Sequence, residues 1–449
     1  MRDLQKTSAD KFSKSSWIIL LLFGTIGQIA WSVENMYFNL FVFDTIAPNL
    51  EAITLMVQLS GVMATVATLV AGVLSDKAGN RRAFISYGYA IWGVTVALFG
   101  CLSTDLTSAM FGVDSVKAVS ITLAMVVIGD CVMTLFGSTA NDAAFNAWVT
   151  DNTDSEYRGS VEGVLAILPL IAMLIVAGGF GILVEEIGYR ALFISLGIVI
   201  SLSGIFGIFA IKDSPRMEKS GTLRDIFYGF KPSVVKENLP LYLTFIIILV
   251  YSIGCQTFMP YLIIFMKTYL GFSVVEYSIV FGAAILFGAA INIYLGRLSD
   301  RLNKARLMYI AAGIFAAGLL GMYFASMISS HVALLIVFGV FGFVMITGFI
   351  FVSSLTGSTV RDYTPHHSVG KLQGVRMVFS VLIPMLVGPM IGNGINKMRG
   401  IKLPDAGADA MTTEYIPAPE IFLVAALVTL LLYAIIPLLI RKTEKNSAK

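Results

Sequence analysis

The sequence predicts an all-α integral membrane protein with twelve transmembrane helices in two pseudo-symmetric six-helix bundles. Three observations predict it. The 449 residues are 57% hydrophobic and only 13% charged, with mean hydropathy +0.83, against roughly 25% charged residues in soluble domains. About twelve segments are long and apolar enough to cross a bilayer. Two motifs each occur twice, about half a chain apart. Residues 72–82 read GVLSDKAGNRR and residues 296–306 read GRLSDRLNKAR. Asp151-x-Thr153-x5-Gly159-x3-Gly163 recurs as Asp362-x-Thr364-x5-Gly370-x3-Gly374. Duplicated halves of this kind are the mark of a two-bundle transporter.

The spans lie near 17–43, 50–74, 83–102, 118–150, 159–184 and 190–211, then 240–266, 273–296, 306–328, 332–359, 371–395 and 418–440. Each approaches or exceeds the about 20 apolar residues that a helix needs to cross. Open sheet edges cannot face lipid, and the ~10-residue alternating segments of a barrel do not occur. The predicted organisation is an N-terminal bundle (1–211), a cytoplasmic linker (212–239) with an amphipathic run around Leu223–Phe230, and a C-terminal bundle (240–449). With the N-terminus inside, 24 of the 31 Lys and Arg residues fall on the cytoplasmic side. Six fall outside (Lys117, Arg190, Lys267, Lys397, Arg399 and Lys402) and Arg376 lies within a span. This asymmetry places both termini in the cytoplasm of a cell membrane. The first apolar run is too long for a cleaved signal. The net charge of +3 therefore sets topology, and no nucleic-acid partner is expected. Cys101, Cys131 and Cys255 sit in spans without metal-ligand spacing, so neither metal nor cofactor is expected.

Charges inside spans carry the functional information, because an ionisable group at bilayer depth is costly and faces a partner or a cavity. The first span holds Glu34, with Gln28, Trp31, Ser32, Asn35 and Asn39 around it. The fourth span holds Asp130 and Asp142 in a series, Asp130, Thr134, Ser138, Asp142, Asn146 and Thr150, that recurs every four residues. Four-residue steps keep side chains on one stripe, and a polar stripe at this depth implies a wet groove. Asn141 and Phe145 flank it. The matching positions of the tenth span read Phe341, Met345, Phe349, Ser353, Gly357 and Arg361, so the charge chemistry belongs to the N-terminal half. Glu162 opens the fifth span near the interface. The C-terminal half offers Tyr251, Gln256, Thr257, Tyr261, Asn292, Gln373 and Arg376. Aligning residues 40–43 with 262–265 puts Gln256 where Glu34 stands.

The paired G-x-L-S-D turns resemble the signature of the major facilitator superfamily, and the resemblance covers the whole chain. It implies a cytoplasmic gate at Asp76, Lys77, Arg81, Arg82 and Arg158 in one half and Asp300, Arg301 and Arg306 in the other. A carboxylate near a helix end, opposite cations, makes a breakable latch. IGQIAWSVENMYFNLFVFDTI (26–46) and NDAAFNAWVTDNT (141–153) resemble the first and fourth helices of melibiose-permease-type (glycoside-pentoside-hexuronide:cation) symporters. The Asp151, Thr153, Arg158, Gly159 loop is similar to that of sucrose/proton symporters. The resemblance implies that Asp142 serves substrate and cation together, and places Arg376 near a helix-11 Lys of that family. The family's helix-1 sugar Asp falls on Ile29, Leu55–Ala71 holds no acid, and the helix-5 Arg is missing.

The expected activity is secondary transport of a small polar solute, a sugar or glycoside, by a monomer. Substrate is expected at Gln28, Trp31, Glu34, Asn35, Ser138, Asn141, Asp142, Asn146, Tyr251, Gln256, Tyr261, Gln373 and Arg376. Amides and carboxylates suit hydroxyls, and an aromatic face suits a sugar ring. Without a carboxylate cage, a proton rather than sodium is the expected coupling ion. Asp142, Asp130 and Glu34 are its candidate carriers, because a desolvated carboxyl can load and release a proton near neutral pH. The alternatives are a proton-coupled exporter of amphipathic compounds and a non-transporting membrane receptor or scaffold. No H-E-x-x-H, G-x-S-x-G or phosphate-binding loop occurs, so an enzyme is not expected.

Overall fold

The computed structural model describes residues 13–153, 158–214, 223–299, 302–364, 369–402 and 415–447. Asp300 and Arg301 lie outside the described residues, as do the side chains of Arg158, Glu162 and Gln373.

Eleven helical runs are long and apolar enough to cross a membrane. One of them, Gly163–Ala210, has 48 residues, more than twice the length of a single crossing. It breaks at Gly188, whose φ of 76° and ψ of 161° suit glycine alone. The described chain therefore makes twelve crossings: α1 (Lys14–Ile46), α2 (Leu50–Ala78), α3 (Arg81–Phe99), α4 (Ser115–Asn152), α5 (158–187), α6 (189–210), α7 (Leu239–Thr268), α8 (Val274–Ser299), α9 (Lys304–Ala325), α10 (His331–Tyr363), α11 (369–399) and α12 (420–447). An isolated bridge between Lys402 and Tyr415 is the one β pairing among the described residues. Outward-facing Leu98, Ile128 and Phe209, at 61%, 63% and 80% exposure, belong to the apolar belt that hydrocarbon requires.

The repeated turn has a local physical reason. Gly79 closes α2 at φ 64° and returns its N–H to Ser75 O, the left-handed cap that glycine adopts without strain. Asn80 then caps α3 by accepting from Ala83 N. In the second copy Asn303 caps α9, accepting from Ala305 N and Arg306 N. The caps reveal a slip of one residue in the repeat. Letter by letter, Arg81 aligns with Ala305; counted from the caps, it aligns with Lys304.

The end of the molecule that carries these turns is the basic face. There Trp148 Nε1 donates to Lys212 O at 2.8 Å and Arg82 N to Asp213 Oδ1 at 2.9 Å, tying the start of the linker to α3 and α4. The segment Leu223–Phe230 packs instead on the other six helices. Tyr242 donates to Gly229 O, and Gly229 sits against Val375 of α11. The run was expected to be amphipathic. Phe227 and Phe230 are outward, at 68% and 44% exposure, while Gly229 is held by α7 and α11.

The first six and last six helices meet along α2–α11 and α5–α8. Glycines permit the approach: Gly61 abuts Met385, and Gly181 abuts Val274 and Ser278.

Candidate functional site

Helices α1 and α4 are wound wider at the candidate site. Glu34–Phe38 and Val42–Ile46 of α1, and Ser138–Phe145 of α4, are π-helical turns, which recur at functional sites. At 3.6 residues per turn a four-residue stripe drifts around its helix; the wider turn at Ser138–Phe145 offsets the drift and holds the stripe on one face.

That stripe divides by depth. Asp130, Thr134 and Ser138 are 2%, 1% and 0% exposed; Asp142 is half-buried, and Asn146 and Thr150 are exposed. The expected wet groove therefore does not run the whole stripe. Its upper half is sealed against α1 and α2, and its lower half opens toward the basic face. Polar residues exposed at bilayer depth face water rather than lipid.

Asp142 is held as an acceptor. Ser138 Oγ donates to Oδ2 at 2.9 Å and Asn141 Nδ2 to Oδ1 at 3.3 Å. The Trp31 indole also lies beside it. Trp31 stacks at a tilt on Trp92, centroids 5.0 Å apart, and Gly137 makes room for both rings. Tyr89 hydroxyl sits 2.9 Å from Asn141 Oδ1 and 2.8 Å from Phe23 O. A Cβ at Gly27 would meet Asn141 Oδ1 and Tyr89 Oη at 2.6 Å, so the glycine is what lets α1 close on this network. Gln28 is half-buried and Asn35 is exposed, its amide donating to Trp31 O at 2.7 Å.

Deeper, Glu34 is 8% exposed. Ser60 Oγ and Thr134 Oγ1 lie 3.1 Å and 3.0 Å from its Oε1. Asp130 is its electrostatic neighbour.

The far end is sealed. One turn beyond Asn35, Asn39 is 1% exposed and donates to Pro260 O of α7 at 3.3 Å. Tyr261 hydroxyl lies 2.7 Å from Thr54 Oγ1 and 3.0 Å from Pro389 O, and Gln58 Nε2 donates to Leu386 O at 2.7 Å. Ion pairs Lys267–Asp44 and Lys397–Glu51, both 2.7 Å, bridge the halves at the surface. Tyr189 hydroxyl also donates to Asp44. Prolines shape these contacts: Pro260 sits in a tighter turn of α7 and Pro389 inside α11, and both their carbonyls take part.

Two expected binding residues do other work here. Tyr261 is 0% exposed and belongs to the seal; Tyr251 is 6% exposed and donates to Phe349 O at 3.0 Å, bracing α7 on α10. Gln256 is half-buried against Gly388 of α11, and Arg376 is exposed on α11. Ser60, Tyr89 and Trp92 were missed, because hydroxyls and aromatics are ordinary residues in spans. The sealing acids and lysines were legible only as helix-end charges.

At the basic face Arg81, 6% exposed, binds Asp76 and Ser75, and its Nε reaches Asp151 Oδ2 at 3.1 Å. In the second half Lys304 pairs with Asp362 at 2.6 Å. Each set lies within its own half. Lys77, Arg82 and Arg306 are exposed.

Twelve apolar crossings with half-buried and exposed polar residues of α1 and α4 at bilayer depth are the architecture of a membrane transporter. Residues 17–389 match the model of the Major Facilitator Superfamily, and the chain belongs to that superfamily. No curated protein sequence matches it. Among solved structures it is similar to a variant of the nucleoside transporter NupG, at TM-score 0.68 and 11% identity over 94% of this chain and 99% of that one. It is also similar to a bacterial homologue of the human lysosomal transporter Spinster, inward-facing and unoccupied, at 0.66 and 15% over 96% and 98%. The occupied inward-facing form of that homologue gives 0.63 and 14% over 94% and 96%.

Proposed function

We propose that the chain is a proton-coupled symporter of a small hydroxylated solute, a sugar or glycoside, acting as a monomer in the cell membrane by alternating access. The observation that carries this reading is the position of Asp142. It is a half-buried carboxylate on the wall of the opening, beside Trp31 and within reach of amides at Asn141 and Asn146. A carboxylate accepts from paired hydroxyls while an indole covers the apolar side of a sugar ring.

The excess of Lys and Arg makes the basic face cytoplasmic, so the described state is open to the cytoplasm and sealed outside. In this reading Gln28, Trp31, Asn35, Asp142 and Asn146 meet the solute from one half, with Asn141 holding Asp142 in place, and Gln256 and Arg376 approach from the other. The coupling charge lies among Glu34, Asp130 and Asp142. Asp76, Arg81 and Asp151 lock the cytoplasmic ends of α2, α3 and α4 into one body. A nucleoside is an N-glycoside and falls within the substrate class.

The test is a binding screen of the purified full-length protein against mono- and disaccharides, nucleosides and amphipathic drugs. One hydroxylated class binds, and Asp142→Asn weakens it at least about tenfold, the loss of one hydrogen bond to a charged group. Binding confined to amphipathic compounds and indifferent to Asp142→Asn contradicts the reading.

A further inference from the structure

We infer that Glu34, Asp130, Ser60 and Thr134 form a two-carboxylate ion centre that holds one shared proton, separate from the carboxylate that meets the solute. The inference rests on the proposed role of Asp142 but not on the identity of the solute.

Three helices build the centre: α1 gives Glu34, α2 gives Ser60, and α4 gives Asp130 and Thr134. Ser60 and Thr134 hydroxyls stand 2.8 Å apart and both face Glu34 Oε1. That leaves Glu34 Oε2 and Asp130 Oδ1 buried without a hydrogen-bond partner. Among the described residues neither carboxylate forms an ion pair. The titratable groups nearby are Cys131 and Asp142 of α4 and, beside Asp142, Tyr89 of α3. None of these is basic, and α2 contributes a hydroxyl.

Charge balance dictates what this arrangement holds. Two bare carboxylates in a dry site cost several kcal/mol per ion when no counter-charge is present. One proton on the pair removes one of the two charges and supplies the missing donor. The proton then belongs to the pair rather than to either residue.

The position of the centre gives it consequences. Glu34 opens the π-helical turn Glu34–Phe38, and the next residue, Asn39, makes the cross-half bond to Pro260 O. Asp130 shares its helix stripe with Asp142. The centre thus touches both the stretch of α1 that seals the far end and the helix that carries the solute carboxylate.

Infrared difference spectroscopy of the full-length protein in lipid nanodiscs tests this with the proton itself as probe. On acidification a protonated-carboxyl C=O band appears in the wild type. Glu34→Gln and Asp130→Asn each abolish it, Asp142→Asn retains it, and sodium at constant pH leaves it in place. Ser60→Ala, the mildest variant, keeps the band but shifts its frequency, because one hydrogen bond to Glu34 is gone. A band that survives both Glu34→Gln and Asp130→Asn overturns the inference. So does loss only in Asp142→Asn, or displacement of the band by sodium at constant pH. A solute screen that finds no sugar or glycoside overturns the proposed function and leaves this result standing.

Discussion

Glu34 and Asp142 are both acids at bilayer depth in the same half, yet their surroundings assign them different work. Glu34 meets two hydroxyls and another acid in a dry site; Asp142 meets an amide, a hydroxyl and an indole at the edge of water. The small residues that shape the second site are as specific as the acids. Gly27→Ala drives a methyl group into Asn141 Oδ1 and Tyr89 Oη. An overpacked contact of that kind costs about 1–3 kcal/mol, and it appears as weakened solute affinity measured against unchanged insertion in the membrane. Arg81→Met leaves Asp76 and Asp151 facing each other without their cation. Asp76 is 36% exposed, so breaking this partly buried pair costs about 1–2 kcal/mol, between the exposed and the buried cases, read as a lower denaturation midpoint in detergent. The three acids were legible in the sequence because a charge inside an apolar run has few structural explanations. Ser60 and Trp92 were not, since nothing distinguishes a site hydroxyl or indole from one that only packs.

At the scale of the element, the repeated turn was the clearest signal, and its logic is the Gly79–Asn80 pair of caps. Its second copy is shifted by one residue: Asn303 starts α9 one position earlier than the letters suggest, and Lys304, which takes the place of Arg81, pairs with Asp362. The π-helical turns of α1 and α4 left no trace in composition or periodicity, because a single widened turn preserves a four-residue polar pattern. On α1 the turns flank Asn39 and include Asp44, two residues that join this helix to the other half. Exposed ion pairs are worth about 0.2–1 kcal/mol each. Removing both with Asp44→Asn and Glu51→Gln therefore shifts the balance between the two open states by up to about thirtyfold toward the other state. Distance distributions between spin labels on the sealed-face ends of α1 and α7 report the shift. An unchanged distribution removes the gate role of these pairs.

For the whole molecule, the number of crossings and their apolar faces were readable from length and hydropathy alone. The state in which the halves rest was not. The described state is held by contacts such as Thr54–Tyr261 and Gln58–Leu386, which join residues more than two hundred positions apart and leave no local pattern in the sequence. The asymmetry of the halves is the molecule-scale feature that matters for function: acids in α1 and α4, an exposed Arg376 in α11. In the proposed function it places ion coupling in the first half and leaves the second to complete the solute site.

In the proposed function, movement of a hydroxylated solute is driven by a proton gradient. Uptake of labelled mono- and disaccharides and nucleosides into proteoliposomes, with and without an imposed inward proton gradient, measures this. One such solute accumulates above its outside concentration only when the gradient is present, and Glu34→Gln equilibrates it without accumulation. Equilibration that ignores the gradient in the wild type, or accumulation that follows sodium instead, rules out proton coupling.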